Sequence, residues 1–162
     1  AYTMWIALPL IYPSLKKGNK KIFNPLIVLF ILVITQIIYG AFVAGLKAGR
    51  IYNTWPKMGD QWMPDSVFLD PGTGSQFIHR TLALVIVAFT FYIWQKRKKL
   101  DLSKLENKSL YILPFLVALQ TILGILTLIM VAPISLALAH QVLAFFLLLS
   151  LVFNLFLFKP LK

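Results

Sequence analysis

Four apolar runs dominate this chain: Phe23 to Leu46, Gln76 to Trp94, Ser109 to Val131 and Ile134 to Phe158. A helix needs roughly 20 apolar residues, at about 1.5 Å each, to cross a hydrocarbon core about 30 Å thick. Composition agrees, with 59% hydrophobic residues against 13% charged, and continuous runs rather than amphipathic stripes argue against a soluble bundle. The expected fold is an all-α, polytopic membrane four-helix bundle, because helices satisfy their own backbone hydrogen bonds in lipid. Residues 1 to 12 are apolar but too short to span. They read as the tail of a preceding transmembrane helix, which makes the chain part of a longer protein. No basic segment precedes them and no clear small-residue cleavage site follows, which argues against a signal peptide. Cysteine is absent, so neither a disulfide nor a thiolate metal site is available.

The net charge of +11 is concentrated at one set of helix ends. Lys16, Lys17, Lys20 and Lys21 precede the first run, Lys96 to Lys99, Lys104 and Lys108 join the second to the third, and Lys159 and Lys162 follow the fourth. The positive-inside rule puts those ends in the cytoplasm or matrix and the long loop 47–75 on the outer, periplasmic side. In that loop Lys47, Arg50 and Lys57 are balanced by Asp60, Asp65 and Asp70. Nucleic acid is not an expected partner, since the lysines flank spans instead of decorating a soluble module. The lipid bilayer is the partner this charge distribution implies.

His79 and His140 are the only histidines. Each lies a few residues inside a run that crosses from outside to inside, so both fall about 5–10 Å below the outer surface at 1.5 Å per residue. Ionisable groups inside membranes are costly and face the bundle interior, and paired imidazoles at one depth suit axial ligation of a haem iron. Structural interhelical hydrogen bonds, another metal or a proton relay remain open at this point. Zinc is disfavoured by the missing cysteines and distant carboxylates.

The chain also repeats itself. Gln36-x-x-x-Gly40 in the first run recurs as Gln120-x-x-x-Gly124 in the third, and His79-x-x-Leu82-Ala83 recurs as His140-x-x-Leu143-Ala144. Residues four apart share a helix face, so Ala83 and Ala144 lie one turn from the histidines, and with Gly40 and Gly124 they could leave room for a flat macrocycle. Close helix packing by small residues explains the same pattern. Gln36 and Gln120 read equally as partners of the histidines or as interhelical glue. Arg80 is placed either to pair with a haem propionate or simply to snorkel. The Tyr52-Asn53-Thr54-Trp55-Pro56 block and Trp62 suit an ordered cap, or interfacial aromatics alone.

Gly40-Ala41-x-x-Ala44-Gly45-x-x-Ala48-Gly49, Tyr52-Asn53-Thr54-Trp55-Pro56-x-Met58, Gln76-Phe77-x-His79-Arg80 and Leu138-Ala139-His140-Gln141 together resemble the carboxy-terminal half of the haem A synthase family. The resemblance implies eight spans in two similar halves, with residues 1–162 forming one transmembrane haem-binding domain. It implies oxidation of the C8 methyl of haem O to a formyl group, for terminal oxidases. It further implies that His79 and His140 ligate haem b, beside which position and helical spacing set Arg80, Ala83, Ala144, Gly40 and Gly124 as cofactor-binding candidates. The substrate haem O and a catalytic glutamate would belong to the missing amino-terminal half. Gln76 stands where that glutamate would be, so no catalytic residue is expected here and the fragment alone should be inactive. The implied partners are the missing half, an electron donor and a haem O synthase; the implied location is the bacterial inner membrane, or less favourably the mitochondrial one. The absent cysteines match the proteobacterial and mitochondrial branch. Two other readings stay open: a stand-alone four-helix b-type cytochrome, and a haem-free assembly or transport subunit.

Overall fold

Helix ends in this chain are set by caps that lie beyond the apolar runs. In the computed structural model, which describes residues 1–12 and 18–160, five helices form: α1 (Tyr2–Ile11), α2 (Lys20–Gly45), α3 (Pro71–Arg97), α4 (Lys104–Ile129) and α5 (Ile134–Phe158). Asn19 caps α2 by accepting from the Lys21 N–H. Asp70 caps α3, with Pro71 as its first residue, where the missing N–H costs nothing. Ser103 and Glu106 form a reciprocal capping box at the start of α4. Hence α3 and α4 each begin five residues ahead of the hydrophobic runs expected at Gln76 and Ser109, whereas α5 has the expected bounds. Glu106 therefore sits in the first turn of a helix and not in a connection. Lys16, Lys17 and Lys162 lie outside the described residues.

At its far end α4 stops at Ile129, two residues short of the expected Val131. The Ala132 N–H donates to the Thr127 carbonyl and the Val131 N–H to that of Leu128, the paired bonds of a Schellman turn. Val131 holds the left-handed conformation at φ 61, which is unfavourable for a β-branched residue. Pro133 then precedes α5.

The four long helices are each apolar and long enough to cross a membrane, and the protein is an integral membrane protein. They form an antiparallel square: α2 packs on α3 and α5, and α4 on α3 and α5, with packing closest within the hairpins α2–α3 and α4–α5. Helix α1 lies against α5 through Trp5–Phe156 and Tyr12–Phe153 ring contacts. Gly18 meets the Lys159 backbone so closely that a Cβ there would overlap the carbonyl oxygen. Phe91, Phe115 and Phe145 point outward, as side chains facing lipid do.

The buried core occupies only the basic half of the bundle. It is built from Ile22, Leu26, Leu29 and Val33 of α2, Ile86 and Ile93 of α3, Leu110, Leu113 and Val117 of α4, and Leu147, Leu151, Leu157 and Phe158 of α5. A Ser109–Asn154 hydrogen bond of 2.9 Å joins α4 to α5 at that end. Among the described residues, α2 beyond Val33, α4 beyond Val117 and α5 before Leu147 bury no side chain, and α3 before Ile86 buries only Gly72, Thr73, Gly74, Gln76 and Arg80. The half that holds both histidines thus lacks an apolar core of its own.

Candidate functional site

The sequence repeat becomes a geometric repeat. In the first hairpin Gln36 Nε2 lies 3.3 Å from His79 Nε2 and donates to the His79 carbonyl at 3.0 Å. In the second, Gln120 Nε2 lies 3.2 Å from His140 Nε2 and donates to the His140 carbonyl at 3.0 Å. One amide nitrogen carries two hydrogens and can serve both acceptors, which requires Nε2 of each ring to be unprotonated and the proton to sit on Nδ1. Both Nδ1 atoms are buried without a partner among the described residues, and a buried polar group left unpaired costs roughly 1–3 kcal/mol.

Gly40 and Gly124 are the floors of these two seats. A Cβ built on Gly40 would lie 3.2 Å from His79 Cε1, and one on Gly124 would lie 2.9 Å from His140 Cε1. Each hairpin therefore holds its imidazole between a glutamine amide and a glycine one turn further along the partner helix. The glycines make room for the ring itself. Ala83 and Ala144 are half-buried, one turn along α3 and α5 from the histidines.

Arg80 serves the outer loop. Its Nη2 is 2.9 Å from the carbonyl oxygens of Thr54, Pro56 and Lys57, and its guanidinium lies 5.2 Å from the Trp55 ring centroid. Its Nη1 is buried and without a partner among the described residues. Gln76, four residues earlier on the same face of α3, donates to the Tyr52 carbonyl at 2.9 Å. Two further ties have no counterpart in the sequence reading. Asn53 Nδ2 donates to the carbonyls of Gly49 and Leu128, both at 2.8 Å, which fastens the loop to the end of α4. The Thr73 hydroxyl and N–H both donate to Asp70 Oδ2, at 2.7 and 2.6 Å. These bonds, the hydroxyl's foremost, hold the Asp70 carboxyl below the usual carboxylate range. The block Tyr52 to Pro56 signals such a cap, but its partners are carbonyls, which every residue carries.

The donor set can be tested against the group it would hold. Among the described residues no three His, Cys, Asp or Glu side chains gather around a common point, so a bare ion such as Zn²⁺ would lack protein ligands. A haem iron receives its equatorial nitrogens from the macrocycle and needs only two axial side chains. Two imidazoles whose unprotonated Nε2 atoms face only an exchangeable glutamine amide, small residues beside them and no apolar core at their level fit that requirement.

Comparison with known proteins bears on the same site. Residues 1–152 match a family described as cytochrome oxidase assembly protein (COX15-CtaA). The chain is 39% identical to the haem A synthase of Flavobacterium johnsoniae, covering 96% of this chain and 49% of that protein. It is 39% identical to that of Flavobacterium psychrophilum, with the same coverage, and 42% identical to that of Wolbachia pipientis subsp. Culex pipiens (strain wPip), over 81% of this chain and 40% of the relative. The chain spans about half the length of these two Flavobacterium relatives. No solved structure matches it significantly.

Proposed function

We propose, on the premise that the chain belongs to the haem A synthase family, that it is the haem-b-binding half of an enzyme that oxidises the C8 methyl of haem O to a formyl group. The observation that carries this reading is the duplicated seat: two hairpins of different loop length, with glutamine and histidine 43 and 20 positions apart, present the same Gln–His–Gly arrangement. His79 and His140 hold the iron. Gln36 and Gln120 keep Nε2 as the unprotonated ring nitrogen until iron takes its lone pair, and stay anchored on the His79 and His140 carbonyls. Ala83 and Ala144 keep the adjacent turns free of bulk. Arg80 organises the loop over the site, and its free Nη1 is available to a haem propionate. A haem b bound there would supply a one-electron iron couple.

No residue here is assigned to bond breaking. Asp60, Asp65, Asp70, Asp101 and Glu106 are the only acids in the chain, and all lie in connections or in the first turn of α4. Gln76 holds the Tyr52 carbonyl, and an amide cannot exchange a proton near neutral pH. Conversion of haem O belongs to the other half of the whole protein, where the catalytic acid and the substrate haem are assigned. The test is to express this chain with and without that half, in a background lacking any other haem A synthase. The chain alone should retain haem b and form no hydroxylated or formylated haem. Detection of either product from the chain alone would overturn the division of labour.

A further inference from the structure

At the basic end of the bundle, remote from the histidines, the connection between α3 and α4 frames a second site. Six basic residues, Lys96, Arg97, Lys98, Lys99, Lys104 and Lys108, stand against Asp101 and Glu106 over residues 96–108. Glu106 is already occupied by the Ser103 N–H at 2.8 Å. Surface lysines alone would mean only general attraction to an anionic membrane. Arg97 is different: it is 6% exposed, yet every partner that holds it is neutral. Its Cζ lies 3.5 Å from the Tyr111 ring centroid and 5.4 Å from that of Trp94, and Nη1 donates to Asn107 Oδ1 at 2.5 Å. Its Nε is buried with no acceptor among the described residues. A buried cation with an unpaired donor and no counter-ion is costly unless something else supplies the anion.

The space for that anion is present. An open cleft of about 370 Å³ is lined by Arg97, Lys98, Asp101, Asn107 and Tyr111, with Leu100 and Leu102, within the ~300–1,000 Å³ range of small-molecule sites. Lys98 is held beside it, its Nζ 4.2 Å from the Trp94 centroid. Arg97 and Lys98 against Asp101 leave the lining one net positive charge, which matches a phosphodiester monoanion better than a dianionic phosphomonoester. The two leucines, and aromatic residues of the kind that mark a membrane interface, suit a head group that carries acyl chains. We propose that this cleft binds the phosphodiester head of an anionic phospholipid, with Arg97 as its principal ligand and Lys98 as the second.

Native mass spectrometry of the delipidated protein, titrated with phosphatidylglycerol, phosphatidylcholine or inorganic phosphate, tests this. Phosphatidylglycerol should bind about tenfold or more tightly than phosphatidylcholine, whose choline cation would lie against a lining of net positive charge. Arg97→Gln should abolish most of that preference. Lys98→Gln, an exposed position that leaves the stacked Arg97 in place, should weaken it by about fivefold. The double variant Lys20→Gln and Lys21→Gln removes two charges from the same end of the bundle, outside the cleft, and should keep the preference. The proposal fails if phosphatidylglycerol is not preferred, if both cleft variants retain the preference, or if the double variant loses as much as Arg97→Gln. Inorganic phosphate binding as tightly as phosphatidylglycerol would make this a free-anion site and overturn the lipid assignment.

Discussion

Replacing Gly124 with Ala separates the site from the fold, because the two effects of the added methyl have opposite signs. In helix interiors Ala is favoured over Gly by about 1 kcal/mol, so α4 gains. Against this, the new Cβ would lie 2.9 Å from His140 Cε1, about 0.5 Å inside the 3.4 Å of ordinary contact. The ring has to move, and the Gln120 amide that fixes Nε2 at 3.2 Å loses its hold. A net hydrogen bond is worth about 0.5–1.5 kcal/mol, so the stability terms cancel to within about 1 kcal/mol. The proposed iron ligand is then displaced from its seat, and returning the ring to a productive rotamer at a cost of about 0.5–1.5 kcal/mol appears as roughly 2- to 10-fold weaker haem binding. Gly40→Ala, with its Cβ at 3.2 Å from His79 Cε1, overlaps by only about 0.2 Å and should lie at the weak end of that range. Haem titration of both detergent-solubilised variants, followed by the Soret band, reads affinity, and circular dichroism on heating reads the fold. The reasoning is refuted if Gly124→Ala binds haem as wild type does, or if Gly40→Ala is the more damaged of the two.

Ala144→Leu and Ala83→Leu should each lower haem occupancy while leaving membrane insertion intact, because added apolar volume suits lipid but not a filled pocket; full occupancy in both would show that these positions face away from the cofactor. Arg80→Lys keeps the charge but loses the planar fork that reaches the Thr54, Pro56 and Lys57 carbonyls. Hydrogen exchange over residues 52–58 should accelerate about tenfold or more, as loss of one charge-assisted hydrogen bond implies, and unchanged protection would remove Arg80 from its role in the loop. The Asp70 carboxylate, whose pKa is lowered in the folded state, contributes its cap fully above the unfolded value of about 3.9 and loses it as pH falls through the lower folded value. Amide exchange at Thr73, corrected for its intrinsic pH dependence, should therefore stay flat from neutral pH to about 4 and rise only below that. A rise beginning near pH 6 would contradict the assignment.

The parts of this fold that sequence could reveal are those with a period or a spacing. Apolar length located all four spans, and α5 runs from Ile134 to Phe158 as the hydropathy implies. The start of α3 was hidden because Asp70 and Pro71 end a helix chemically, not by hydrophobicity. The Gln–Gly and His–Ala repeats were legible, yet the contact they encode was not: spacing along α2 and α4 cannot say that Gly40 and Gly124 touch the imidazoles. Arg80 illustrates the remaining gap. Its neighbours in sequence suggest the membrane surface, while its acceptors are carbonyls 23 to 26 residues away, made accessible by loop conformation.

The central claim is that His79 and His140 jointly hold one haem. Its most direct test is the reduced-minus-oxidised visible spectrum and the low-temperature electron paramagnetic resonance of the protein with haem, compared with His79→Ala and His140→Ala. Wild type should show low-spin, six-coordinate, bis-histidine iron, and each single variant should convert it to high-spin or five-coordinate iron, or lose the haem. Unaltered low-spin spectra in both variants would contradict the account.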